Sequence, residues 1–263
     1  MEIPLYATLF ALGLLGGLLS GLVGIGGGII MFPLLLYVPP ALGFAALAVK
    51  AAASITAVQS LLGAISGALA HHRHRRVYFP LALDFGGAMA LTSLIGSVAS
   101  NAIPEKIILV LFALLALIAG LLMLLQRPEV PEPAVENGQY QYSRVRAWSL
   151  GAVIGVCAGL IGQGGGFLFV PVMMAFLGAP LRIAIGTALA VGVASSAAVV
   201  LGRIGTAQIP WLLTAVTVSG GIIGAQIGSE LSQRLPRRTL RIILAGAIFL
   251  TAIKMVWSLA AAN

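Results

Sequence analysis

The sequence predicts an all-α polytopic membrane protein built of two homologous, inverted repeats, each with a glycine-rich broken helix near the bilayer midplane. Three observations lead there. Of 263 residues, 60% are hydrophobic and only 8% are charged, with a mean hydropathy of +1.08, whereas soluble domains carry about 25% charged residues. Apolar runs long enough to cross a bilayer recur along the chain. One motif also occurs twice, as GLVGIGGGIIMFP over 21–33 and GLIGQGGGFLFVP over 159–171.

The runs cover residues 5–25, 41–70, 81–100, 107–125, 147–162, 180–202, 210–229 and 242–260, with shorter apolar pieces at 28–38 and 166–178. The N-terminal MEIPLYATLF has no Lys or Arg. It therefore lacks the basic region of a cleavable signal peptide, and the first run is expected to stay as a helix. Cys157 is the only cysteine, which excludes an internal disulfide and a cysteine metal cluster; it reads as a small packing residue. The net charge of +8 sits in short loops between spans, a pattern that fits the positive-inside rule better than a nucleic-acid surface. The one long polar stretch, QRPEVPEPAVENGQYQYSRVR, reads as a solvated linker. It divides the chain into a first membrane repeat over 1–125, a cytoplasmic linker over 126–146 and a second membrane repeat over 147–263.

Shifting the sequence by 138 residues overlays the halves: from Gly13 to Leu34, nine of 22 positions are identical. Pro80 and Pro210, Gly96-Ser97 and Gly228-Ser229, and Pro104 and Pro236 continue the match with small gaps. The number of crossings per repeat decides whether the repeats are parallel or inverted. Four crossings each would place eight Lys and Arg in inside loops and six in outside loops; five each would place eleven inside and three outside. The second count obeys the positive-inside rule. The expectation is five plus five, inverted, with residues 28–38 and 166–178 either crossing or re-entering as half-helices, since eleven residues rise only about 16 Å.

Glycines at 13, 17 and 21, their copies at 151, 155 and 159, and those at 220, 224 and 228 have the spacing of ridges for close helix packing. The triplets Gly26-Gly27-Gly28 and Gly164-Gly165-Gly166 abandon that period, and each glycine costs about 1 kcal/mol relative to alanine inside a helix. In hydrocarbon such loosened backbone is tolerated only when buried in protein or lining a wet cavity. Paired interruptions in matching places of two repeats point to a transporter's binding site. Helices restarting at Ile29 and Phe167 would turn N–H groups and positive dipole ends toward an anion. Pro33 and Pro171 would loosen their first turns.

The doubled motif, a G-L-h-G-h-G-G-G run followed five residues on by proline, resembles the TauE/SafE (TSUP) sulfite-exporter family over nearly the whole chain. The resemblance implies export of sulfite or small organosulfur anions such as sulfoacetate across the bacterial inner membrane by a multi-pass transporter. A second family element, A-h-G-T-S, matches Ala184-Ile185-Gly186-Thr187-Ala188. The first half departs from it, with Ala48-Val49-Lys50-Ala51-Ala52.

Lys50 is costly at membrane depth. It is read as a counter-charge for a bound anion or as a lysine near a helix start that snorkels to the interface, with a pairing to Asp84 as a third reading. Ser54 and Gln59 further along that helix, and Thr187, Ser195 and Ser196 in the matching one, can offer hydrogen bonds. Gln163 stands where the first copy has Ile25 and can orient a sulfonate oxygen or bond between helices. The substrate-binding set is therefore Gly26, Gly27, Gly28, Lys50, Ser54, Gln59, Gln163, Gly164, Gly165, Gly166, Thr187 and Ser195.

HHRHRR over 71–76 has arginines among its histidines, which disfavours a cation, so it reads as a topology determinant rather than a metal site. Asp84 is expected to pair with that basic loop, with proton carriage as the alternative, and Glu230 to pair with Arg234 four residues on. No nucleophile elbow, zinc-protease or nucleotide-loop motif occurs, so neither an enzyme nor any cofactor is expected. Transport without an ATP site is secondary or channel-like. The alternatives left open are a cation- or proton-coupled importer of a small solute and an anion channel. The expected partners are a small anionic substrate and the lipid bilayer, with no nucleic acid; homo-oligomerisation stays open.

Overall fold

The computed structural model describes residues 2–23, 28–72, 77–125, 141–162, 166–206 and 208–261. Among these there are ten α-helices and no strand: α1 (Glu2–Val23), α2 (Gly28–Ala41), α3 (Val49–His72), α4 (Phe79–Ala99), α5 (Glu105–Leu125), α6 (Arg144–Ile161), α7 (Gly166–Leu177), α8 (Leu181–Ile204), α9 (Trp211–Arg234) and α10 (Arg237–Ala261). A single 3-10 turn, Ser100–Ala102, follows α4. Six segments, within α1, α4 with its 3-10 turn, α5, α6, α8 and α9, are long and apolar enough to cross a bilayer. The all-α polytopic class is thereby established.

The short pieces behave differently. Helix α2 has 14 residues and α7 has 12. At 1.5 Å per residue these rise about 21 and 18 Å, short of a hydrocarbon core of about 30 Å. Both helices begin at the last glycine of a triplet. Both also run unbroken through their proline, Pro33 or Pro171. Their first turns enter the centre of the molecule. Phe32, Phe167 and Phe169 are fully buried, and rings pack at 5.0 Å between Phe32 and Phe112, 5.7 Å between Phe112 and Phe167, and 6.2 Å between Phe85 and Phe169.

Lipid supplies no hydrophobic drive for helix association, so small residues that let backbones approach must carry it. Along the α1–α9 pair, a Cβ on Gly13, Gly17 or Gly21 would land on the carbonyl oxygen of Thr217, Gly221 or Ala225. One on Gly220, Gly224 or Gly228 would land on that of Phe10, Leu14 or Leu18. The α4–α6 pair is built the same way: Gly151 abuts the Phe85 carbonyl, Gly155 that of Met89, Gly159 that of Ser93, and Gly96 that of Val156. These ridges are the packing seams expected from their four-residue period. Helices α3 and α8 lie against each other between the two pairs, and α8 is the most buried of the six long apolar segments. Large aliphatic side chains on α4, α5 and α6, such as Leu83, Leu91, Ile95, Leu117 and Val153, remain exposed, as a lipid-facing surface requires.

The seams predict a clear stability contrast. Gly17→Ala and Gly155→Ala, which drive a methyl into a facing carbonyl, should each cost about 1–3 kcal/mol by overpacking. Gly87→Ala on α4, where a Cβ meets nothing within 4 Å, should stabilise by up to about 1 kcal/mol. Thermal unfolding of the purified variants in detergent measures all three.

Candidate functional site

Helix α6 ends at Gly162, whose φ of +79° closes it with a left-handed cap. This conformation favours glycine over any residue with a Cβ. Four residues later α7 begins at Gly166. The side chain that meets this junction is Arg203, from the last turn of α8. A Cβ on Gly162 would collide with its Nη2 and Cζ. The guanidinium is completely buried. Its Nη1 donates to the Lys50 carbonyl at 3.0 Å, to Ser54 Oγ at 2.9 Å and to Gln208 Oε1 at 3.0 Å. Among the described residues its Nε and Nη2 have no partner, and no carboxylate forms an ion pair with it.

A shell of polar groups holds the tied edge in place. The Ser54 hydroxyl donates to the Lys50 carbonyl at 2.7 Å. Gln208 Nε2 donates to Asn101 Oδ1 at 2.7 Å. Lys50 Nζ donates to the Asn101 carbonyl at 2.8 Å, and the Lys50 N–H to Glu105 Oε1 at 3.3 Å. The start of α3, the turn after α4, the start of α5 and the loop after α8 therefore converge on one arginine. A buried charge without a counter-ion costs several kcal/mol, and that cost falls when an anion joins it. The arrangement can bind a small anion, and Arg203 and Ser54 are both fully buried, so access requires a conformational opening.

Of the residues singled out from sequence, Lys50 and Ser54 come together at Arg203. Lys50 lies in the first turn of α3, half-buried, with its ammonium turned to the Asn101 carbonyl. Gln59 lies elsewhere: its Nε2 donates to the Gly13 carbonyl at 3.0 Å, a packing bond between α3 and α1. Thr187 is 16 residues from Arg203 along α8, about 24 Å away, and accepts the Tyr78 N–H at 3.1 Å. Ser195 is buried midway along α8. Gly28 and Gly166 are buried at the first positions of α2 and α7. Gly26, Gly27, Gln163, Gly164 and Gly165 lie outside the described residues, as does part of the 71–76 loop.

Unpartnered buried hydroxyls also flank the junctions. Ser93 Oγ lies on α4 opposite Gly159; Ser20 Oγ and Ser229 Oγ lie on α1 and α9, beside the end of α1. Among the described residues, Asp84 engages the start of the second half: it accepts from Tyr142 Oη at 2.6 Å and Trp148 Nε1 at 3.3 Å and pairs with Arg144 Nε at 3.4 Å. The arginines of the 71–76 loop, its expected partners, lie outside the described residues. Burial and the hydrogen bond to Asp84 push the Tyr142 phenol above the usual tyrosine range. Glu230 and Arg234 are both exposed and no ion pair joins them, since water screens such pairs on a helix surface.

Arg203, the centre of this candidate site, was not singled out from the sequence. The available signal was its isolation: it is the only charged residue between Arg182 and Glu230.

A polytopic bundle with two short interior helices starting at glycine breaks, and an unneutralised cation buried beside one break, has the build of a membrane transporter for a small solute. The family comparison agrees: the model for the family described as "Sulfite exporter TauE/SafE" matches residues 9–255, and the chain belongs to that family. It is similar to the probable membrane transporter protein YunE of Bacillus subtilis (strain 168), 23% identical over 96% of this chain and 97% of the relative. A probable membrane transporter protein of Xylella fastidiosa (strain Temecula1 / ATCC 700964) is 30% identical over 94% and 90%. No solved structure matches the chain. It is a multi-pass membrane protein, and in bacteria the membrane is the inner one.

The cap at Gly162 gives a direct test against Gly43, which also has a positive φ of 85° but would set a Cβ in open space. Both alanine variants carry the left-handed penalty of about 1–2 kcal/mol. Gly162→Ala should lower the melting temperature further than Gly43→Ala, because only there does the methyl displace the guanidinium. Differential scanning fluorimetry of the two variants checks this.

Proposed function

We propose that this transporter exports small sulfur-containing anions, sulfite or organosulfonates such as sulfoacetate, from the cytoplasm as a secondary carrier. The observation that carries the anion reading is Arg203: a fully buried guanidinium with two unpartnered nitrogens, beside the α6–α7 junction. The family description supports the sulfur class. The membrane potential supports the direction, since it is worth about 2.3 kcal/mol per elementary charge per 100 mV and expels anions from a negative interior without ATP.

The architecture in this reading is two inverted repeats, 1–125 and 147–263, joined by a cytoplasmic linker over 126–146. The packing supports it, because α1 seats on α9 as α6 seats on α4, through glycines of the same period. The charge count places the loops 71–76 and 234–241 in the cytoplasm too. Single cysteines in a Cys157→Ala background should all be shielded from an impermeant thiol reagent added outside intact cells. Labelling of a cysteine in 234–241 would instead give each repeat an even number of crossings.

Transport itself is tested in proteoliposomes. Efflux of sulfite should accelerate when a potassium–valinomycin gradient makes the interior negative, and Arg203→Gln should reduce it at least about tenfold, the loss expected for a charge-assisted contact. Efflux indifferent to voltage but driven by a proton or sodium gradient would replace this reading with a coupled carrier.

A further inference from the structure

The arginine is tied along one side and free along the other, and the free side has a defined shape. We propose that the Nε–Nη2 edge of Arg203 is a two-pronged receptor for an oxyanion that presents two oxygens on one atom, so that the site selects sulfonate-like or carboxylate-like groups over spherical anions. This rests on the reading that the protein carries a small anion and adds which chemical feature of the anion is recognised.

The three acceptors around Nη1 already occupy both of its N–H groups. What remains are the Nε–H and the Nη2–H on the same side of the planar group. They point in parallel, as the fork that matches two oxygens of a carboxylate or sulfur oxyanion. Both nitrogens are buried and unpartnered among the described residues, so a ligand there competes with no acceptor among them. Gly162 sets the position of this edge, since any side chain at that position would occupy the space the guanidinium takes. The tie to Gln208, itself bonded to Asn101, fixes the rotation of the fork about the long arginine side chain. A halide can meet only one direction of approach and leaves the second N–H bent or unpaired. A lysine would supply the charge without the fork.

The test is equilibrium binding of methanesulfonate and bromide to the purified full-length chain by calorimetry. The wild type should prefer methanesulfonate by about tenfold or more, the scale of a bidentate charge-assisted pair. Arg203→Lys should weaken methanesulfonate about tenfold and leave bromide nearly unchanged, collapsing the preference. Equal binding of the two anions by the wild type, or an unaltered preference in Arg203→Lys, overturns the fork and leaves the anion-carrier reading standing. Full methanesulfonate affinity in Arg203→Gln would instead remove Arg203 from the site and take the anion-carrier reading with it. If the Arg203 variants fail to fold, Gln208→Leu in the loop after α8 decides. It should keep the fold and reduce the preference for methanesulfonate; an unchanged preference in that variant overturns the proposal.

Discussion

Backbone meets backbone where α1 lies on α9 and where α4 lies on α6, and the interior of the protein is arranged around those two seams. In lipid, apolar side chains gain nothing by leaving one hydrocarbon environment for another, so helices associate through close van der Waals approach. The glycine ridges bring carbonyl oxygens to where side chains would otherwise stand. Each seam ends at an interrupted helix. Gly21 faces Ala225 just before the α1–α2 break, and Gly159 faces Ser93 just before α6 is capped at Gly162. Tight seams thus hold the ends of α1 and α6 rigid, so that the short helices α2 and α7 can begin inside the bundle.

Once a helix ends inside a bundle, polar groups must accompany it. The described residues place Ser20 and Ser229 near one break and Ser93 and Arg203 near the other, all buried with unpartnered atoms. Besides Gln59 Oε1 at the α1–α3 contact, these are the buried unpartnered side-chain groups among the described residues, and only the α6–α7 side carries a charge. The two halves therefore share a frame but differ chemically. The cation sets the second junction apart, and its neighbours Ser54 and Gln208 come from α3 and from the loop after α8.

The opposite end of α8 has a different character. Thr187 accepts from the Tyr78 backbone, Tyr78 packs edge-on at 6.2 Å against Tyr142, and Tyr142 donates to Asp84. Arg144 and Trp148 complete the set around Asp84 and line up the first turns of α6 with α4. Among the described residues Asp84 thus has three partners and works as a structural tie. An open cleft of about 430 Å³ lies beside it, lined by Tyr78, Pro80, Gln141, Tyr142 and Arg144.

Much of this was legible in one dimension. Composition alone required a membrane; the four-residue glycine period announced the seams; and the doubled triplets marked where α2 and α7 would start. Local rules suffice for such features, because period, hydropathy and glycine conformational freedom act within a few residues. Partners were not legible. Ser54 and Thr187 were both hydrogen-bonding candidates, yet Ser54, on α3, meets Arg203 at the end of α8, while Thr187, near the start of α8, accepts from Tyr78. Lys50 drew attention as a charge at depth, while Arg203, just past the end of the 180–202 apolar run, carried no such mark. The sequence by itself determined that the chain is helical, membrane-embedded and twice interrupted. Only the tertiary structure decided which cation is buried and how it is held, because Lys50 and Ser54, which tie Arg203 Nη1, lie about 150 residues away in the chain.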